Sequence, residues 1–400
     1  MSDCRPEVAD VFRGYGPQFF ASFGHSISID QKRVFRDLSR CRTAALGGHK
    51  RKCDDCGNVE FSYNSCRNRH CPKCQATSRA EWLDQEATQL LEVEYFHVVF
   101  TLPDEIGPIT LQNKRQIYGL LFRAASETLL TIARDPKHLG AEIGFLMVLH
   151  TWGQNLHLHQ HVHCVVPGGG LSPDGSRWIS CRKAFFLPVR VLSRLFREKF
   201  IAYLEAQYAK GELSFSGKIA SLREVSAWRE LIASLRQTEW VVYAKPPFGG
   251  PKQVLKYLAR YTHRVAISNQ RLISIDGGKV AFHWKDYAHG GKRKIMTLEA
   301  AEFIRRFLLH VLPKGLVRIR HYGFLANRVR VKKLTAIRKL LAQTSLKAGT
   351  TLSITADSEE KIMPEYAPLC PRCKKGHLVL VEVILPDKNL NRRHRFSDTC

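Results

Sequence analysis

The stretch His157-Leu158-His159-Gln160-His161-Val162-His163, followed by Cys164, decides how this chain is read. In an extended strand alternate side chains share a face, so the four histidines line one side and Leu158, Gln160, Val162 and Cys164 the other. One face is imidazole; the other is apolar except for Gln160. Same-face neighbours lie about 6.6–6.8 Å apart along a strand, so two adjacent imidazoles can lean onto one metal ion, whereas four would span roughly 20 Å. The plain alternative is a histidine-rich exposed face with no ligand, but the apolar reverse side argues for a packed strand. Pro167-Gly168-Gly169-Gly170 ends the strand and lets backbone or a ligand approach, which favours His161 and His163 as the metal pair. Gln154, just before the strand, is either a third ligand through its carbonyl oxygen or a solvated turn residue.

Around this stretch lie 400 residues, 44% hydrophobic and 24% charged, an ordinary globular composition and more chain than one core usually holds. Sixty-two Lys and Arg against 36 Asp and Glu leave a net charge of +26. So large an excess opposes compactness unless a polyanion takes it up, and nucleic acid is the first partner to consider. No run of 18 or more apolar residues and no signal-like segment after Met1-Ser2-Asp3-Cys4 is present, so a soluble cytoplasmic protein is expected.

Twelve cysteines without an export signal read as metal ligands or plain thiols rather than disulfides, and six fall between Cys41 and Cys74. Cys53-Asp54-Asp55-Cys56-Gly57 and Cys71-Pro72-Lys73-Cys74 are two C-x2-C turns with the spacing of a tetrahedral zinc ribbon, so Cys53, Cys56, Cys71 and Cys74 are expected to share one Zn2+. Cys41, His49, Cys66 and His70 could build a second site or replace one ligand of the first; spacing does not decide. Four protein ligands close the metal to substrate, and Arg67, Arg69 and Lys73 interleave with them. The zinc therefore reads as the support of a DNA-contacting surface.

Downstream, periodicity predicts a helix over 76–91, a strand over 95–103 stopped by Pro103, a long helix near 111–134, and a strand over 143–151 pairing antiparallel with the histidine strand. Residues 189–235 read as mostly helical, Trp240–Ala244 as a strand, and Pro246-Pro247-Phe248-Gly249-Gly250-Pro251 as a break. From Pro251 to about Arg264 a helix is expected, with Val254, Leu258 and Val265 on one stripe and Lys252, Lys256, Arg260 and Arg264 on another. Tyr257 and Tyr261 stand one turn apart on the border. Amphipathic tyrosines filling an interface edge would look the same. The chemical alternative is a pair of nucleophiles: neighbouring cations lower the cost of a phenolate and also hold a phosphate.

His161-Val162-His163 followed by Tyr257-x3-Tyr261 on a basic helix resembles the two-tyrosine HUH endonucleases. More narrowly, the chain resembles the rolling-circle insertion-sequence transposases from about residue 40 to 345. The resemblance is carried by Asn64-Ser65-Cys66-Arg67-Asn68-Arg69-His70-Cys71-Pro72-Lys73-Cys74, His97-Val98-Val99-Phe100-Thr101-Leu102-Pro103, Val162-His163-Cys164-Val165-Val166-Pro167-Gly168-Gly169-Gly170, Tyr257-Leu258-Ala259-Arg260-Tyr261 and His321-Tyr322-Gly323-Phe324-Leu325. It implies that His161 and His163 hold Mg2+ or Mn2+ against a phosphodiester of single-stranded DNA, although imidazoles alone would suggest zinc. It implies tyrosine attack, a 5′-phosphotyrosine link and a free 3′-hydroxyl. The partners would be single-stranded transposon ends and target DNA, in a nucleoid-associated prokaryotic protein.

Arg271–Ile275 and Lys279–Trp284 flank Asp276-Gly277-Gly278, a hairpin signal, and a helix is expected over Thr297–Leu312. Arg318, Arg320, Arg328, Arg330, Lys332, Lys333, Arg338 and Lys339 then form a basic run read as DNA-backbone contacts rather than a merely solvated face. Thr344–Pro368 reads as a linker. Cys370-Pro371-Arg372-Cys373 looks like half a zinc turn whose partner, among His377, His394 and Cys400, is unassigned. The expected fold is α+β: a zinc-ribbon-like domain over residues 1–90, an HUH-like antiparallel sheet with packed helices over 91–343, and a linker and basic tail over 344–400. The rivals in function are a plasmid or phage rolling-circle replication initiator and a non-catalytic zinc DNA-binding protein. A metal-independent tyrosine recombinase fits the histidine strand less well.

Overall fold

The computed structural model describes residues 5–182, 186–248, 253–254, 265–347 and 368–387. Tyr257, Tyr261, Lys252, Lys256, Arg260 and Arg264, most of the expected linker, His394 and Cys400 lie outside the described residues.

The chain runs α1 (Val8–Phe23), α2 (Ile29–Arg40), β1 (Gly48–Cys53), β2 (Val59–Tyr63) and α3 (Cys74–Ala87). Next come β3 (Tyr95–Thr101), α4 (Gly107–Gln112), α5 (Lys114–Arg134), β4 (Gly144–Trp152), β5 (Leu158–Pro167), β6 (Gly169–Leu171) and β7 (Trp178–Ser180). They lead to α6 (Val189–Ala209), α7 (Val225–Gln237) and β8 (Val242–Phe248). The last part holds β9 (Leu272–Asp276), β10 (Lys279–Asp286), β11 (Lys292–Glu299), α8 (Ala300–Leu309), β12 (Ile319–Gly323), α9 (Arg330–Lys347) and β13 (Leu378–Ile384).

The histidine strand β5 is the middle of an antiparallel sheet ordered β12-β4-β5-β3-β8. Its period of two separates the faces as expected. Val162, Cys164 and Val166 join Phe96, Val98 and Phe100 of β3 and Phe145, Met147 and Leu149 of β4 in one core under α5 and α6. The helices supply apolar residues at helical spacing, Leu121, Phe122, Ala125 and Leu129 from α5 and Leu192, Phe196 and Phe200 from α6. Phe196 sets its ring edge-on to Phe100 at 5.0 Å, a packing whose truncation to Ala costs about 3–5 kcal/mol. The opposite face carries the imidazoles together with Tyr95, Leu146, Val148 and Val165, on which Val254 is buried. The architecture is α+β with an antiparallel sheet, as expected.

A second antiparallel sheet, β11-β10-β9, packs against α1, α2 and α8 through Phe12, Phe19, Phe35, Phe282, Phe303 and Phe307. Its β9–β10 hairpin turns at Gly277 and Gly278, with φ of 52° and 79°, the left-handed pair that a two-residue turn matching strand twist requires. Two readings need correction. The helix expected over Thr297–Leu312 starts only at Ala300, because Lys292–Glu299 alternates and pairs with β10. The strand expected to break at Pro246-Pro247 continues to Phe248, which is tolerated because β8 is a sheet edge and the two prolines fall at a register irregularity between the pairs His97–Lys245 and Tyr95–Phe248.

In a third sheet, β13-β1-β2, residues 378–384, expected in the C-terminal tail, pair antiparallel with β1 of the N-terminal region. Among the described residues no helix is long and apolar enough to cross a membrane.

Two histidines are buried as neutral rings where the layers meet. His310 hydrogen-bonds the Leu156 carbonyl through Nε2 at 3.1 Å and Thr151 Oγ1 through Nδ1 at 3.3 Å, and burial pushes its pKa down to about 3. His70 accepts from the Leu312 amide, and burial, reinforced by Arg69 and Arg318, holds it well below the ordinary value. The unfolded chain binds a proton at each near the ordinary 6.5, while folded His310 refuses one until about 3, so stability is lost as pH falls through that window. The thermal midpoint should therefore drop between about pH 7 and about pH 5, and His310→Gln should flatten that slope. An unchanged slope in the variant would remove His310 as a source.

Candidate metal centres and catalytic face

Register brings the imidazoles together. In the β4–β5 ladder His150 stands opposite His161 and Val148 opposite His163, so His150, His161 and His163 share a face. All three are buried, and their ligand nitrogens lie within 4.8 Å of one another. The rings of His161 and His163 are 4.8 Å apart, and that of His150 is 4.5 Å from His163. His157 and His159 are exposed at the hairpin end of the strand, so the four do not act as one set.

Each ring is held from behind. His161 Nδ1 faces the His159 carbonyl at 2.9 Å and, in a neutral ring, must carry the proton there, which makes Nε2 the lone-pair nitrogen. Burial pushes the pKa of His161 down to about 3, so the neutral ligand form persists at neutral pH. His163 Nδ1 is bonded to His97 Nε2 at 2.8 Å, and their rings stack at 5.1 Å. Trp152 stacks on His150 at 4.8 Å. Three buried imidazoles, with His161 and His163 oriented by hydrogen bonds, are a donor set that suits a divalent transition ion while leaving coordination positions open.

His150 is the member the sequence reading missed. It lies near the end of a largely apolar strand, and only the cross-strand register reveals its partners. Gln154, which the sequence left open as a third ligand or a turn residue, lies in the β4–β5 turn beyond the paired histidines, and its backbone carbonyl accepts from Arg271. Tyr257 and Tyr261 are outside the described residues, but Val254, three positions before Tyr257, is buried on the histidine-bearing face.

The cysteines regroup. Cys53 and Cys56 do not stand with Cys71 and Cys74. Cys41, Cys66, Cys71 and Cys74 form one cluster and Cys53, Cys56, Cys370 and Cys373 another, each with all sulfurs within 4.8 Å. In the first, Cys41–Cys74, Cys66–Cys74 and Cys41–Cys71 are 3.6, 3.6 and 3.5 Å apart, near the roughly 3.8 Å that tetrahedral Zn–S bonds of about 2.3 Å impose. Cys74 opens α3, where the helix dipole favours a thiolate. His49 pairs within β1 opposite Ser62, and His70 is engaged by Leu312, so neither stands in a cysteine cluster.

Several cations expected to meet DNA are used internally. Arg69 donates to the carbonyls of Leu312, Pro313 and Leu316, Lys73 pairs with Glu7 at 2.7 Å, and buried Arg318 donates to Gln75. Arg320 lies over the Phe122 ring. By contrast α9 buries Leu334 and Ile337 and exposes Lys332, Arg338 and Lys339, although Arg338 also donates to the Thr88 carbonyl.

Two family models match this chain, one described as "Transposase zinc-binding domain" over residues 11–102 and one as "Putative transposase" over residues 144–333. A protein of Sinorhizobium fredii, "Putative transposase y4qJ", is 54% identical over 394 residues, 96% of each chain. The transposase for insertion sequence element IS801 of Pseudomonas savastanoi pv. phaseolicola is 30% identical over 304 residues, 75% of this chain and 71% of its own. No solved structure matches.

Closed four-thiolate sites stabilise a fold rather than react. Replacing Cys71 and Cys74 by Ser should remove one zinc ion per chain and lower the thermal midpoint by roughly 5–10 °C, as a loss of a few kcal/mol does in domains of this size. Elemental analysis with calorimetry checks this; unchanged zinc content would assign the ion elsewhere.

Proposed function

This chain belongs to the rolling-circle insertion-sequence transposase family, and we propose on that premise that it nicks and rejoins single-stranded DNA at transposon ends, with Tyr257 and Tyr261 as nucleophiles. The observation that carries this reading is the buried group of His150, His161 and His163 on one face of the central sheet. Its support is Val254, three positions before Tyr257 in sequence, which is buried on the same face.

His161 and His163, with His150 rather than Gln154 as third ligand, would hold a divalent ion. Bound there, Mg2+ or Mn2+ would polarise the scissile phosphate and offset its developing charge. The chain's own residues do the rest. A tyrosine oxygen bonds to phosphorus while the 3′-oxygen leaves and takes up a proton, giving a 5′-phosphotyrosine and a free 3′-hydroxyl. One phosphodiester replaces another, so rejoining needs no ATP. Lys256 and Arg260, adjacent in the expected helix, stabilise the phenolate and the phosphate. Two tyrosines one helical turn apart would let one hold a strand while the other cuts. His97 orients His163, and the His159 carbonyl fixes the tautomer of His161. The exposed cations of α9 would track the DNA backbone.

The test incubates purified protein with labelled single strands covering both element ends, in Mn2+, Mg2+ or chelator, followed by a denaturing gel. A metal-dependent covalent band should appear, and should vanish when Tyr257 and Tyr261 are both changed to Phe. His161→Ala and His150→Ala should lower it more than about a hundredfold and His97→Ala by about 10–100-fold, while Gln154→Ala leaves it near wild type. A covalent band in the double Phe variant, or one indifferent to chelator, would overturn this mechanism.

A further inference from the structure

The second cysteine cluster joins residues more than three hundred positions apart. We propose that Cys53, Cys56, Cys370 and Cys373 bind a second zinc ion that fastens the C-terminal segment 368–387 into the N-terminal domain. Neither matched family region reaches Cys370 or Cys373, since one ends at residue 102 and the other at 333.

The geometry is that of a four-thiolate site. Cys53 and Cys373 sulfurs are 3.7 Å apart, as are those of Cys56 and Cys370. These separations match the roughly 3.8 Å edge of a tetrahedral Zn–S4 centre and far exceed the about 2.05 Å of a disulfide. Both C-x2-C turns are built alike. In one, the Gly57 amide donates to the Cys53 carbonyl at 3.2 Å; in the other, the Lys374 amide donates to the Cys370 carbonyl at 2.9 Å. Gly57 and Lys374 both adopt positive φ, 71° and 57°. Each turn also aims an amide at a sulfur, Cys56 N–H at Cys53 Sγ and Gly376 N–H at Cys373 Sγ, at 3.5 and 3.3 Å. Such donors stabilise thiolates, as a metal site requires.

The two halves interlock around that centre. The Asp54 amide donates to the His377 carbonyl at 3.1 Å, and the His377 amide donates to Asp54 Oδ1 at 2.7 Å. A Cβ at Gly376 would lie 2.5–2.6 Å from Asp54 Oδ1, Asp55 Cβ and Cys53 Sγ, so the backbone approach itself depends on glycine.

Apolar burial does not explain why β13 stays. Val379, Leu380, Val381 and Val383 are exposed, as are Val59 and Phe61 of β2. The buried cluster beneath this sheet is Cys53, Cys370 and Leu378, with Cys373 packed against it. A three-stranded sheet with so small a core needs a staple, and a four-thiolate zinc supplies one.

The test uses the full chain purified without chelator. Elemental analysis should find two zinc ions per chain, and native alkylation read by mass spectrometry should spare all four cysteines until a chelator is added. Cys370→Ser with Cys373→Ser should leave one zinc and open residues 368–387 to limited proteolysis while the first cluster stays protected. One zinc in the wild-type chain with these four thiols natively alkylated would overturn the proposal. So would Cys53–Cys373 and Cys56–Cys370 disulfides without metal, or a double variant that still holds two ions. If that variant fails to fold, zinc count and alkylation of the wild-type chain decide alone.

Discussion

The antiparallel pairing of β4 with β5 is the constraint on which the rest of the structure depends. It sets His150 opposite His161 in the interior of a sheet, where a polar ring without partners would cost a few kcal/mol. The surroundings answer that cost ring by ring, with His159 O against His161, His97 against His163 and Trp152 over His150. The reverse face fixes the register: a slip of one residue would send Val162, Cys164 and Val166 to the imidazole side and the histidines into the phenylalanine core under α5 and α6. The apolar core therefore positions the three imidazoles as much as it stabilises the fold.

What was legible in the sequence is what has a short period. Alternation in residues 157–164 showed two faces, and Asp276-Gly277-Gly278 showed a hairpin because two left-handed residues in a row have few other uses. Pairing across long separations was not legible. His150 looked like one polar residue in an apolar strand, and its meaning depends on which residue of β5 lies opposite. The two C-x2-C turns looked like partners because they are neighbours in sequence, yet Cys71 and Cys74 join Cys41 and Cys66, while Cys53 and Cys56 meet Cys370 and Cys373. Spacing identifies candidate ligands; topology sorts them into clusters.

The +26 charge was legible as a sum but not as a distribution. An arginine can satisfy several carbonyls at once, and Arg69 does so at the loop of Leu312, Pro313 and Leu316. Buried Arg318, bonded to Gln75, is likewise structural. Net charge therefore overstates the DNA-facing surface, and the exposed cations of α9 are better placed for phosphate than Arg69 and Lys73, which are engaged internally.

The division of ligands between sulfur and nitrogen follows the division of labour in the proposed mechanism. Four thiolates complete a tetrahedron and leave no position for a phosphate, so both cysteine clusters suit the N-terminal region and its C-terminal strand as fastenings. Three imidazoles on a sheet face leave positions open on one side only, because the other side is the strand backbone. That side carries Val254, and Tyr257 follows it in sequence by less than one helical turn. A nucleophile delivered there would meet a phosphate bound at the open positions, while zinc held by the cysteine clusters would fasten the surrounding architecture without entering the chemistry.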